Sequence, residues 1–296
     1  MSAIAPPPTG HVVVGVDGSS AALSAVAQAA LEAANRHLPL EIVGAWTLPD
    51  DGQLDAYVGQ MRREAEEATK AAVAHARALQ PRIRTIARVR RGPAHEVLLA
   101  SAEHASLVVV GSRGHGRMAG LLLGSVSLSV AAYTPCPLLV VRDRQEAASR
   151  APDSGEGSVV VGVEGSDCGP AVEAAYEEAQ LRHLRVCALN AIPPVVPTPL
   201  GLPAAAVESL AAASALRQGT VDASLAASRA KHPEIESQVR VVREGASQAL
   251  VEASREADLV VLAAHRRTAR FGTRLGRVAH AVLHHAHAPV LIVPVG

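Results

Sequence analysis

Six positions in the 296-residue chain combine residue type and spacing suited to holding an anion: Asp17, Gly111, Gly114, Gly124, Ser125 and Ser127. The stretch from Leu107 to Ser127 reads LVVVGSRGHGRMAGLLLGSVS. Gly111 and Gly114 remove side chains where the backbone must turn, which lets a ligand approach the main chain closely. Gly124, Ser125 and Ser127 open a new apolar run, so free amides and hydroxyls gather at an expected helix N-terminus. Such an end carries partial positive charge and unpaired N–H groups, and it suits phosphate. Asp17 precedes Gly18 and Ser19, and its carboxylate is a good acceptor for a hydroxyl or an amine. An Asp-Gly-Ser triplet also serves as a turn or helix cap. Arg113, His115 and Arg117 fall inside the loop, where shielding of phosphate charge and plain solvation both fit.

The elements that must position these residues follow from the pattern of apolar runs. Leu107 to Val110 is short, β-branched and uncharged, as a strand buried on both faces should be. His11 to Val16 is a first strand of the same kind, followed by a helix with Ser19 or Ser20 as its cap. Leu40 to Trp46 reads as the second strand, Leu54 to Leu79 as a helix and Ile83 to Val89 as the third strand. Gly92-Pro93 starts another helix, and Pro135 and Pro137 stop the helix before a fifth strand, Leu138 to Val141. Strands alternating with helices predict a parallel sheet covered on both faces.

The pattern then repeats. After a linker rich in serine, glycine and acidic residues, Arg150 to Gly157, the segment VVVGVEGSDCGPA answers VVVGVDGSSAALS and sets Glu164 against Asp17. LRVCALNAIP answers LEIVGAWTLP, and HAPVLIVPV answers TPCPLLVVR. A period of half the chain means two copies of one domain rather than a solenoid. The expected domains are residues 1–148 and 149–296.

Composition narrows the classes further. Apolar residues make up 49% of the chain and aromatics 2%, so the cores must be built from Val, Leu, Ala and Ile. The formal net charge is zero, which supplies no global field for nucleic acid or an anionic membrane. Cys136, Cys168 and Cys187 are far apart with no C-x-x-C pair, as expected for a reducing cytoplasm. The opening MSAIAPPPTG has neither a basic start nor an apolar core segment and reads as a lead-in rather than a signal peptide. Met118 to Val141 has no charge, but its prolines, glycines and serines argue against a membrane span.

The G-x2-G-x9-G-S spacing from Gly111 to Ser125 resembles the nucleotide loop of the universal stress protein family. It differs from a P-loop, which needs Gly-Lys-Ser/Thr, and from a dinucleotide fingerprint. The resemblance covers nearly the whole chain, in tandem. It implies two doubly wound α/β domains, each with a five-stranded parallel sheet and helices on both faces, paired through their last strands as an internal pseudo-dimer. It implies ATP as ligand, with Mg²⁺ carried in on the phosphates as an option. Asp17 then matches the adenosine end, Ala45 the position whose backbone meets adenine, and Gly111, Gly114, Gly124, Ser125, Val126 and Ser127 the ribose-phosphate loop. Gly15, Val16, Val110, Ser112 and Arg113 complete the expected binding set. A nucleotide-dependent regulator of stress or growth state, meeting further copies of itself, is the implied role. A slow ATP hydrolase or nucleotidyl-transfer enzyme and a non-binding interaction module are the rival classes; no nucleophile with a placed base is visible.

The second half departs from this pattern. Ala263, Arg266 and Arg277 stand where the first half has Gly111, Gly114 and Ser125, while Gly276 still matches Gly124. A β-carbon and a guanidinium are expected to fill ribose and phosphate space, and a cation opposes a helix N-terminus by roughly 0.3–1 kcal/mol. The expectation is a site that has lost ATP. Arg266, Arg267, Arg270, Arg274 and Arg277 form either a solvated loop or a locus for a different anion. His280 and His284 lie one helical turn apart without a nearby acidic or thiol ligand, a weak metal signal. The proline-rich run from Pro193 to Pro203 replaces a short loop and is expected to cover the altered site.

Overall fold

The computed structural model describes residues 10–47, 55–114, 123–142, 157–165, 168–194, 204–265 and 275–295. The chain divides into two units, Met1–Ala148 and Ser149–Gly296.

In the first unit, strands β1 (Val12–Val16), β2 (Leu40–Trp46), β3 (Thr85–Arg91), β4 (Leu107–Gly111) and β5 (Leu138–Val141) lie in the order β3-β2-β1-β4-β5. Every pairing within it is parallel. Helices α1 (Ser20–Asn35) and α2 (Asp55–Leu79) pack together on one face, and α3 (Ala94–Ala102) and α4 (Ser125–Tyr133) on the other. Covering both faces is why β1 and β4 are nearly pure valine: Val12, Val13, Val14, Val108 and Val109 are wholly buried. The order reverses between β1 and β4, and in open α/β sheets that crevice is where ligands bind.

One local feature differs from the sequence expectation. Ile83 is spent in the turn that leaves α2, its N–H donating to the Gln80 carbonyl, so β3 starts at Thr85. The uncharged run ending at Val141 is divided between α4 and β5, and no described helix is long and apolar enough to cross a membrane.

The second unit repeats the plan. Strands β6 (Ser158–Gly162), β7 (Arg185–Ala191), β8 (Ser237–Val242), β9 (Leu259–His265) and β10 (Val290–Val295) run in the order β8-β7-β6-β9-β10, again all parallel. Helices α5 (Gly169–Arg182) and α6 (Ala204–Lys231) pack as a pair, as do α7 (Ala246–Ala253) and α8 (Arg277–His285). The ladders also correct the repeat. Gly162 pairs with Leu189 as Gly15 pairs with Val43, so β7 is matched two residues further along than the likeness of LRVCALNAIP to LEIVGAWTLP suggests.

Candidate functional site

The carboxyl ends of β1 and β4 open into a cavity of about 240 Å³. Gly15, Val16, Asp17, Val110, Gly111, Arg113, Gly114, Gly124, Ser125, Val126 and Ser127 line it. Three helices begin at its wall: α1 contributes Ala22, α3 its first residue Ala94, and α4 its first three residues. Gly124 caps α4 with extended backbone and no side-chain bond, and the first intrahelical bond runs from the Leu128 N–H to the Gly124 carbonyl at 3.0 Å. The amides of Ser125, Val126 and Ser127 precede that bond, which makes this end attractive to an anion.

Asp17 is fixed by its own turn. Its Oδ1 accepts from the Ser19 N–H at 3.0 Å and from the Ser19 hydroxyl at 2.6 Å, while Ser19 Oγ accepts from the Ala22 N–H at 3.1 Å to cap α1. Gly18 makes the turn at φ +87°, a left-handed conformation that favours glycine. Gly114 then lies against the carboxylate: a β-carbon there would stand 2.3 Å from Asp17 Oδ2. The fourth-strand loop and the first-strand aspartate, nearly a hundred residues apart, thus meet at one point.

The other glycines have a different reason from the one expected. A β-carbon on Gly111 would come within 2.8 Å of the Ala21 carbonyl oxygen, and one on Gly15 within 2.9 Å of Leu98. Gly111 is small to admit the start of α1, and Gly15 to admit α3. Ligand approach is not what their missing side chains provide.

Two expected residues stand outside the wall. Ser112 is wholly buried, its N–H donating to the Val141 carbonyl and its carbonyl accepting from the Gly124 N–H, both at 2.7 Å. It clips the two ends of the loop to β5. Ala45 lies two residues beyond Val43, the β2 residue that lines the cavity, on the same face but further out. His115 and Arg117 lie outside the described residues.

Sequence reading missed the apolar wall: Ala22, Val43, Ala94 and Leu98. Gly92-Pro93 marks the start of α3 and so pointed toward Ala94, but nothing distinguishes Val43 or Leu98 from ordinary core. Arg142, 7% exposed and next after β5, has its guanidinium pushed down to about 10 by burial and by the Arg113 charge.

The corresponding ends of β6 and β9 open into a cavity of about 580 Å³. Its wall includes Gly162, Glu164, Leu189, Leu250, Leu262, Ala263, Gly276, Arg277, Val278 and Ala279. Ser127 donates its hydroxyl to the Gly111 carbonyl at 2.7 Å in the first half, and Ala279 in its place has no donor to give. Ala263 is carried in the wall of this cavity. The equivalent position in the first half faces the start of α1, and α5 begins five residues after Glu164 whereas α1 begins three after Asp17. Arg266, Arg267, Arg270 and Arg274, and residues 195–203 of the proline-rich run, lie outside the described residues. Rings of His280 and His284 sit 4.5 Å apart between centroids, and among the described residues no three His, Cys, Asp or Glu side chains converge as metal ligands.

A doubly wound parallel sheet with a cavity beyond the carboxyl ends of its strands, at the switch point, defines an open α/β class of fold. Residues 8–142 and 157–294 each match the Universal stress protein family, and the chain belongs to that family. Universal stress protein Rv2623 of Mycobacterium tuberculosis is 31% identical over 294 residues, covering 95% of each chain. Rv2005c of the same organism is 30% identical over 303 residues, covering 95% of this chain and 96% of its own. Among solved structures, a universal stress protein from Archaeoglobus fulgidus superposes with a TM-score of 0.70 at 16% identity, over 97% of this chain and 96% of that one, a likeness of fold.

Proposed function

We propose that the first half binds ATP and that the chain works as a nucleotide-dependent regulator. The observation that carries this reading is the meeting of Asp17 and Gly114 beneath the uncapped N-terminus of α4. That arrangement offers a carboxylate for ribose or adenine, a backbone cradle for phosphate and an apolar slot of Val43, Ala94 and Leu98 for the base. The cavity is somewhat smaller than the roughly 300–1,000 Å³ usual for whole small-molecule sites. Adenosine fills the slot and the phosphates extend toward Arg113 at the mouth. Asp17 is the carboxylate of the described wall, and its Oδ1 is engaged by Ser19. A Mg²⁺ arriving with the nucleotide would take its ligands from phosphates and water. All three cysteines are buried thiols, which supports a reducing, cytoplasmic setting.

Calorimetric titration of ATP into the full chain tests the assignment. Gly114→Val, whose side chain must displace the Asp17 carboxylate, and Asp17→Ala should each weaken binding at least tenfold with the circular dichroism spectrum unchanged. Unaltered affinity in both variants overturns it.

A further inference from the structure

The first unit has β3 as one edge of its sheet, and we propose that this edge binds an acidic segment of a partner protein, held extended as an added strand. The inference goes beyond nucleotide binding and does not rest on it. The stretch PRIRTIARVRR, residues 81–91, carries Arg82, Arg84, Arg88, Arg90 and Arg91, all exposed, and no acidic residue. Strand β3 pairs with β2 on one side, and among the described residues no strand lies beyond it on the other. An edge of this kind offers a row of backbone donors and acceptors to an incoming chain.

Charge on an edge strand also guards against stray pairing, and the internal repeat separates the two roles. Arg77 Nε donates to Thr85 Oγ1 at 3.0 Å and Arg229 Nε to Ser237 Oγ at 2.8 Å, while Val43 pairs with Arg88 as Leu189 pairs with Arg240. That sets β3 against β8 residue for residue. Glu234 and Glu236 then stand at the places of Arg82 and Arg84, and Val242 at that of Arg90. Arg88 and Arg91 are matched by Arg240 and Arg243, but the Arg243 guanidinium donates to the Leu210 carbonyl and the Ser214 hydroxyl of α6. Over the same positions the second half thus carries two arginines and two glutamates where the first carries five arginines. The fold does not demand the excess, and an acidic partner uses it.

Arginines stand on both faces of β3. Arg88 Nε lies 2.7 Å from the buried Glu41 carboxylate, on the face where Val43 lines the cavity, and Arg90 shares that face beside Ala45. Arg91 lies on the opposite face, its guanidinium 5.8 Å from the centre of the Trp46 ring. Among the described residues Arg82, Arg84 and Arg90 form no ion pair. Residues two apart on a strand are separated by about 6.6 Å, so alternate Asp or Glu residues of an added strand match the spacing of Arg88 and Arg90. A peptide continues the backbone ladder as well as meeting the arginines; a nucleic acid cannot continue the ladder.

The probe is a fluorescein-labelled, end-capped peptide of five Thr-Glu repeats, followed by fluorescence anisotropy with the full chain at low salt. Saturable binding is expected. The same peptide with every backbone amide N-methylated keeps its charges but cannot pair as a strand, and it should bind at least tenfold more weakly. The triple variant Arg82→Glu, Arg84→Glu, Arg90→Val installs the residues of the second half at exposed positions, and with its circular dichroism spectrum unchanged it should also bind the peptide at least tenfold more weakly. The proposal fails if no saturable binding is seen, if the methylated peptide binds equally well, if a thymidine hexanucleotide binds more tightly than the peptide, or if the variant keeps its affinity. Loss of ATP binding in the first half would leave each of these readings intact.

Discussion

Ser127 shows how a side chain can be both wall and strut. It is 5% exposed, lines the cavity, and spends its hydroxyl proton on the Gly111 carbonyl at 2.7 Å, tying the start of α4 to the end of β4. Replacing it with alanine leaves that buried carbonyl without its donor, which costs about 1–2 kcal/mol. Ser127→Ala should therefore lower the urea midpoint and weaken ATP together, while Ser127→Thr, which keeps the hydroxyl, should recover most of the stability. A variant that loses affinity with no change in midpoint would show that the hydroxyl serves the ligand and not the loop. Residues of this kind differ in how readable they are. Asp17 and Gly114 could be picked out because a carboxylate after a strand and a glycine in a spaced loop are rare types with few uses. Val43 and Leu98 could not, since an aliphatic residue in a buried strand or helix looks the same whether it faces core or ligand. Gly111 was legible as a glycine but not in its reason: a missing β-carbon does not say which neighbour demands the space.

Two helices of the second half are joined by a polar tie. Glu173 on α5 accepts from Lys231 Nζ and from the Ser228 hydroxyl on α6, each at 2.6 Å, and His232 Nε2 lies 3.6 Å away. The Lys231 bond, then the Ser228 bond, hold the Glu173 carboxyl below its usual range. A carboxyl whose pKa is lowered by folding contributes its stability fully above the unfolded value of about 4.3, and loses it as pH falls through the folded value. Glu173→Gln should thus destabilise at pH 7 by about 1 kcal/mol or less, given solvent screening. The gap from the parent should close on acidification below the ordinary carboxylate range, as urea midpoints at pH 7, 4 and 3 would reveal; a gap that persists at pH 3 would mean packing rather than charge. Element identity was largely readable, because short β-branched runs alternate with long Ala-rich ones. Register was not. Strands buried on both faces lack the period-two marking that fixes alignment, so the two-residue displacement of β7 in the repeat emerged only from its ladder with β6.

At the scale of the whole molecule, one topology has been used twice with two different walls. Both halves share the strand order, the parallel ladders and a cavity at the switch point, so the repeat makes two nucleotide sites the simplest expectation. The residues argue for one. Ser127 and its bond to Gly111 have no counterpart at Ala279, so the second loop lacks the strut that holds α4 against β4. Arg277 puts a long guanidinium side chain where Ser125 offers a small hydroxyl, at the first helical residue, where a phosphate would need close approach to the amides. Leucines at 189 and 262 replace valines around the base slot. Each change alone is tolerable; together they remove the strut, place a long side chain at the helix end and alter the shape of the slot. Titration of ATP into the full chain should accordingly saturate near one equivalent, and Gly114→Val should abolish that binding rather than halve it. Saturation near two equivalents, or one equivalent surviving in Gly114→Val, would place a nucleotide in the second half and defeat this reading.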